Sequence, residues 1–415
     1  MIHDALTTWR LLRSARLSSR RPAAWFRRHQ EAHLRRLVAH AYERVPLYRR
    51  LYDEAGFRPD MFRSLDDLPR IPALSKTALR EAARGEAMAR GVDPATCQVV
   101  STSGSTGMPL QIVLGRFERC WRRAVAWRIL FEHGFRWTDR TLEIRMSRGR
   151  VYGIQRLGIA PKDWVSIMDP PEEWARRLAR HRHACVVAGA GTLELLAEAA
   201  QRAAVRPPRL VVSDSEPLTP HARARVRAAL GTDPVDVYGL EEVSNFAWEC
   251  ERHAGLHVSA DSHVVEVAAP TGEPGPLLVT ALGMWTMPII RYETGDIAAW
   301  ATAPCRCGRT LPVLSAVHGR SVDSITVADG RRLLWPFFHE LLGEDSDILQ
   351  WQVRQRSDTH LVVHVVARDH RSAAVAAAAE RLRRRLPHGL HIDVQPVGEI
   401  PLEANGKRRL VVPLA

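Results

Sequence analysis

The chain has 415 residues, 46% of them hydrophobic and 25% charged, with a formal net charge of +13. That length supports a large buried core and two or more domains, and no run reaches the roughly 18 uninterrupted apolar residues of a membrane-spanning helix. Arg and Trp stand at the N-terminus where a secretory signal would need an apolar stretch, so a cytoplasmic protein with no membrane partner is expected, and six scattered cysteines argue against a disulfide framework.

Residues 1 to 50 carry twelve Arg against three acids, Asp4, Glu31 and Glu43. Trp, Leu, Val and Tyr recur between them at helical intervals, so segment 1–55 reads as basic amphipathic helices laid on a globular body. No zinc finger or aromatic-lined repeat accompanies the charge; a solvated Arg face is expected and a nucleic-acid partner is not. An Arg-rich transit peptide fits less well, because the helical pattern continues without a cleavage-like break. Lysine is rare, occurring only at 76, 162 and 407. An ammonium and a guanidinium are not interchangeable, so a retained lysine marks either chance or a place that needs a compact point charge.

Further along, DLPRIPALSKTALREAA predicts a loop and then a helix capped by Ser75. CQVVSTSGSTGMPLQIVLG predicts strand, loop, strand. ACVVAGAGTLELLAEAAQRAA and RLVVSDSEPLTPHARARVRAALG each join a short apolar run to a helical pattern, and PVDVYGLEE adds a strand and turn. Such units predict an α/β protein with a largely parallel sheet. From HVVEVAAPTGEPGPLLVTAL through DIAAW the spacing shortens to strands and turns, predicting a β-rich subdomain. The last hundred or so residues have the composition of a small α+β domain, which places a boundary near 318–325 and domains at 1–318 and 319–415.

The STSGSTG loop at 101–107 could offer several N–H groups and hydroxyls to one anion. It is not a GxxxxGK[ST] P-loop, and taken alone a plain surface loop accounts for it equally well. Four stretches follow in order: YGLEE at 238–242, RYETGD at 291–296, GRSVD at 319–323 and PLEANGK at 401–407. With SDSEP at 213–217, similar to a GAEP element, the ordered set resembles the adenylate-forming (acyl-CoA synthetase) superfamily, most closely its phenylacetate-CoA ligase branch, over about residues 30–410.

The resemblance implies a large N-terminal adenylation domain and a small C-terminal lid domain that rotates about residues 320–325 between half-reactions. It implies ATP-dependent activation of a carboxylic acid, with an aromatic acid as the family expectation, to an acyl adenylate, followed by transfer to coenzyme A and release of AMP. Ser103, Gly104, Ser105, Thr106 and Gly107 would wrap the triphosphate, and Glu242 would help hold Mg²⁺. Tyr238, Ser215 and Glu216 would flank adenine, Asp296 would bind the ribose hydroxyls with Arg320 nearby, and Lys407 would stabilise the charge that develops during adenylation. The chain departs from the pattern at Met108, where a loop Lys is common, at Glu241, and at Val322. These departures keep open an acceptor other than coenzyme A, an amine or a carrier-protein thiol; a catalytically silent basic binding protein is a further alternative. A homodimer is also kept open.

Cys250 and His253 (CERH) with Cys305 and Cys307 (PCRCG) form two close pairs of zinc-ligand type, and relatives in the branch often show similar pairs. A closed Cys₃His site would be structural, with His257 as a substitute ligand and unliganded thiols as the alternative. For the acyl pocket Phe131, Phe135, Trp137, Tyr152 and VVAGAGTLE are candidates, although core packing explains the aromatics equally well.

Overall fold

The computed structural model describes residues 2–82, 84–101, 110–146, 153–203, 205–320, 325–333, 335–342, 347–368, 373–386, 389–401 and 409–414. Three helices, Ile2–Ser18, Ala23–Arg44 and Pro46–Glu54, open the chain. The first lies along helix Arg116–Glu132. The other two go deeper than a surface layer: Leu34, Leu37, Val38, Ala41, Leu47, Tyr48 and Tyr52 are buried in the same core as Ile112, Val279 and Ile290. Full burial of each large apolar side chain is worth about 1.5–3 kcal/mol, which anchors this segment to the body. Its arginines stay outside. Arg13 lies over Trp9, Arg36 over Trp285 and Arg49 over Tyr42, while Arg27 pairs with Glu31 and Asp66. Planar guanidinium groups can stack on rings in this way as well as carry charge.

Strands β1 (Gln98–Ser101) and β2 (Gln111–Leu114) form an antiparallel pair around the Ser/Thr/Gly loop. The remaining strands of the body are β3 (Thr141–Arg145), β4 (Lys162–Ser166), β5 (Cys185–Gly189), β6 (Leu210–Asp214), β7 (Val235–Leu240), β8 (Ser244–Glu249), β9 (Leu256–Val258), β10 (His263–Val267), β11 (Gly275–Ala281), β12 (Tyr292–Trp300) and β13 (Val313–Arg320). They make one eleven-stranded sheet in the order β10-β11-β12-β13-β9-β8-β7-β6-β5-β3-β4. From β4 to β7 every pairing is parallel, and from β7 to β10 every pairing is antiparallel. The β-rich stretch is therefore an extension of the parallel sheet.

Helices Pro171–Arg180, Ala190–Ala200 and Pro220–Leu230 connect the parallel strands. Their apolar sides pack on the strands in a cluster that includes Leu142, Val186, Val211, Trp174, Leu193 and Val226. After β13 a separate core gathers Ile325, Phe338, Val353, Val363, Ala378 and Leu382 around a four-stranded sheet. No helix among the described residues is long and apolar enough to cross a membrane.

Candidate active site and candidate metal centre

The YGLEE stretch ends β7 with Tyr238, Gly239 and Leu240 and enters the turn to β8 with Glu241 and Glu242. Gly239 is required there: a Cβ at this position would lie 2.5 Å from the Asn245 Cα, closer than atoms can pack. The tight turn leaves Glu242 buried at 4% exposure. Its Oε1 accepts a hydrogen bond of 2.9 Å from the Tyr292 hydroxyl and lies 3.6 Å from the Lys76 Nζ. Four residues along β12, Asp296 accepts the hydroxyl of Tyr238 and is itself buried. One strand thus fixes both carboxylates of the motif set, through Tyr292 at one and directly at the other.

Lys76 reaches this place because the segment before it is stitched to β12. Leu74 N–H donates to the Arg291 carbonyl at 2.9 Å, and Glu293 N–H donates to the Leu74 carbonyl at 3.0 Å. Ser75 then caps the helix Lys76–Glu81, its Oγ accepting the Ala78 N–H at 3.0 Å. Arg291 fastens the same junction with Nε donating to Glu266 at 2.9 Å. Sequence reasoning singled out Lys76 only as a rare lysine; the contact with Glu242 is long-range, and its scarcity was the signal available.

At the carboxyl ends of the parallel strands, Ser215 and Glu216 follow β6 directly. Ser215 has a left-handed φ of 68°, and its Oγ donates to Asp214 at 3.1 Å. Glu216 Oε2 accepts the Gly191 N–H at 2.8 Å, above the end of β5. Since Asp214 at the end of β6 pairs with Val237 on β7, Ser215 just past β6 and Tyr238 on β7 are the residues that follow this pair. Arg320 pairs with Asp296 across β12 and β13 through its backbone. Ser103, Gly104, Ser105, Thr106, Gly107, Met108 and Lys407 lie outside the described residues, as do Tyr152, Val322 and Asp323. Glu241, the extra acid of the turn, points to Arg122, which bonds both its carboxylate at 2.9 Å and its carbonyl at 2.7 Å.

The structure places two further sets of candidates. Phe131 and Phe135 belong to a buried cluster with Ile129 and Val212, and the Phe131 ring centroid is 4.5 Å from that of Trp137. They are core aromatics. Among the metal-ligand candidates, Cys250, Cys305 and Cys307 converge with His257, the substitute ligand, and not with His253, all four ligand atoms within 4.8 Å of one another. His253 turns away with a left-handed φ of 49°, and its Nδ1 sits 3.0 Å from both Glu249 and Arg223. The intervening turn sends His253 outward, and β9 then carries His257 inward to full burial. The Cys250 and Cys305 sulfurs are 3.6 Å apart, and Cys307 Sγ is 3.4 Å from His257 Nε2. Tetrahedral zinc with Zn–S bonds of about 2.3 Å needs ligand separations of this size, so the residues fit the ion.

No family model matches the chain. In sequence it is 29% identical to the phenylacetate-coenzyme A ligase of Thermus thermophilus, over 93% of this chain and 96% of the relative. In structure it matches a 2-hydroxyisobutyryl-CoA ligase in the postadenylation state with a TM-score of 0.80 at 23% identity, covering 95% of this chain and 91% of the other. The chain resembles the phenylacetate-CoA ligase branch of the adenylate-forming superfamily. The same 2-hydroxyisobutyryl-CoA ligase in its thioesterification state gives a lower TM-score of 0.65, at 23% identity over 95% of this chain and 91% of that one. The fold of that ligase is shared along nearly the whole chain, and the Glu242 and Asp296 carboxylates stand on the β7–β8 turn and on β12.

Proposed function

We propose that the chain is an AMP-forming carboxylate-CoA ligase. The observation that carries this reading is the pair of buried carboxylates fixed from one strand, Glu242 through Tyr292 and Asp296 through Tyr238. Among the described residues only Oε1 of Glu242 is engaged, which leaves Oε2 for a hard, oxygen-seeking cation. Mg²⁺ bound there with ATP would neutralise phosphate charge. A substrate carboxylate oxygen attacks the α-phosphorus, the bond to the β-phosphate oxygen breaks, and pyrophosphate leaves. The coenzyme A thiolate then attacks the acyl carbon, and AMP departs with the electron pair of the broken C–O bond.

Within this reading the 101–107 loop wraps the triphosphate, Ser215, Glu216 and Tyr238 flank adenine, Asp296 and Arg320 meet the ribose, and Lys407 offsets developing charge at the α-phosphate. Residues 1–318 form the adenylation domain and 319–415 the lid. The relatives named for phenylacetate and 2-hydroxyisobutyrate support a small organic acid as substrate. Zn²⁺ held by Cys250, His257, Cys305 and Cys307 is structural, since four protein ligands leave no open position.

The test is acid-dependent exchange of labelled pyrophosphate into ATP, followed by thioester detection with coenzyme A. The wild type should show both and Glu242→Gln should lose exchange. Exchange without thioester, but with an amide when amines are supplied, would reassign the acceptor. A complete lack of exchange across a broad panel of acids would refute the ligase reading.

A further inference from the structure

In the sheet, β3 is flanked by β4 on one side and β5 on the other, so the chain reverses its direction of travel between β3 and β5. In open parallel sheets such a switch leaves a crevice at the carboxyl ends of the strands, where ligands bind. Arg145 ends β3 and Asp214 ends β6. Their side chains meet across the end of β5, which closes with Gly189. The guanidinium grips the carboxylate with two bonds, Nη1 to Oδ1 at 2.7 Å and Nη2 to Oδ2 at 2.6 Å. Ser215 Oγ adds a donor to Oδ1 at 3.1 Å. Neither partner is sealed, with 27% of the Arg145 side chain and 14% of the Asp214 side chain still exposed.

Asp214 stands in SDSEP, the stretch that resembles a GAEP element, one residue before Ser215. A half-buried ion pair contributes little to stability once its desolvation is counted. It does present chemistry. After the fork and the Ser215 bond, Arg145 retains N–H donors and Asp214 retains acceptor lone pairs.

The pair is electrically neutral as a unit, and this restricts what completes it. A second carboxylate on the substrate would face the Asp214 charge, and an ammonium would face Arg145. A bare hydrocarbon would desolvate both groups without replacing their water. A hydroxyl satisfies both at once, donating to Asp214 and accepting from Arg145. We infer that the acid activated here bears a hydroxyl group read by Arg145 and Asp214. The inference rests on the ligase reading and gives it a substrate class, a hydroxylated carboxylic acid.

The test uses the full chain and matched acids, aromatic and short aliphatic, with and without a hydroxyl. Binding is read by calorimetry with a non-hydrolysable ATP analogue present, and turnover by pyrophosphate exchange. Sites that hydrogen-bond a substrate hydroxyl reject the analogue lacking it by up to about 10⁵-fold, and for this partly open pair about 100-fold is expected in both readouts. Asp214→Gly, which frees Arg145, should shift preference towards acids with a second carboxylate. The double variant Arg145→Leu with Asp214→Gly should favour the unsubstituted acid. Equal binding and exchange of hydroxylated and unsubstituted acids by the wild type, a comparison that needs no variant to fold, would overturn the inference and leave the ligase reading standing. Preference in binding without exchange would uphold the polar pocket and reject adenylation. Absence of both binding and exchange would overturn both.

Discussion

Lys76 and Glu242 meet at 3.6 Å, but the lysine is 32% exposed, so their attraction is screened and adds little to stability. Its placement matters more, because a compact cation beside the carboxylate proposed to meet Mg²⁺ can turn to a phosphate when nucleotide arrives. Met108, where the resembled loop commonly has Lys, leaves that counter-charge to be supplied from elsewhere. Lys76→Ala should lower pyrophosphate exchange by about 10- to 100-fold, somewhat less than loss of an enclosed donor. Its melting temperature should stay near wild type; a variant that loses stability and exchange together would assign the lysine a folding role.

Asp236 carries a different signature. Burial, with the negative Glu249 beside it, pushes its carboxyl up to about 8 against the pull of Arg223. The unfolded chain ionises near about 3.9, so between these values the folded state holds a proton that the unfolded state has released. Stability therefore falls as pH rises from about 4 to about 8 and levels off above. Asp236→Asn removes that cost, and its melting temperature should exceed wild type by a margin that widens from pH 5 to pH 8. Each pKa unit is worth about 1.4 kcal/mol, so a rise of roughly four units sets an upper bound of about 6 kcal/mol on the gain. Parallel melting curves across that range would show that Asp236 ionises normally in the folded protein.

Turns and strands decide what the residue pattern alone leaves open. The alternation of apolar runs and helical patterns announces the parallel half of the sheet, because each strand there pairs within a few elements of its neighbour. The antiparallel half reads as a separate subdomain for a physical reason: β13 inserts between β9 and β12, a pairing between distant segments that no local period records. The metal cluster shows the same limit. C-x₂-H spacing points to His253, yet that residue sits in a turn with left-handed backbone and faces Glu249 and Arg223, while His257 on β9 faces the thiols. Zinc at this point would tie the end of β8 to β9 and to the loop before β13. His257→Ala should therefore lose bound zinc and lower the melting temperature, whereas His253→Ala should keep a full equivalent by metal analysis. The reverse pattern would return the ligand role to His253.

Across the whole molecule, residues from 325 onward have their own core, separate from the one that fixes Glu242 and Asp296. A second core of this kind can move as a body if the chain between yields. On the ligase reading Lys407 serves one arrangement only, the one in which the α-phosphate is attacked. Lys407→Ala should then abolish acid-dependent pyrophosphate exchange while thioester formation from a supplied acyl adenylate and coenzyme A continues near the wild-type rate. A non-reactive acyl-adenylate analogue should also change the rate of proteolytic cleavage between residues 318 and 325. Equal loss of both half-reactions in Lys407→Ala, with cleavage unaffected by the analogue, would mean that one fixed arrangement performs the whole reaction.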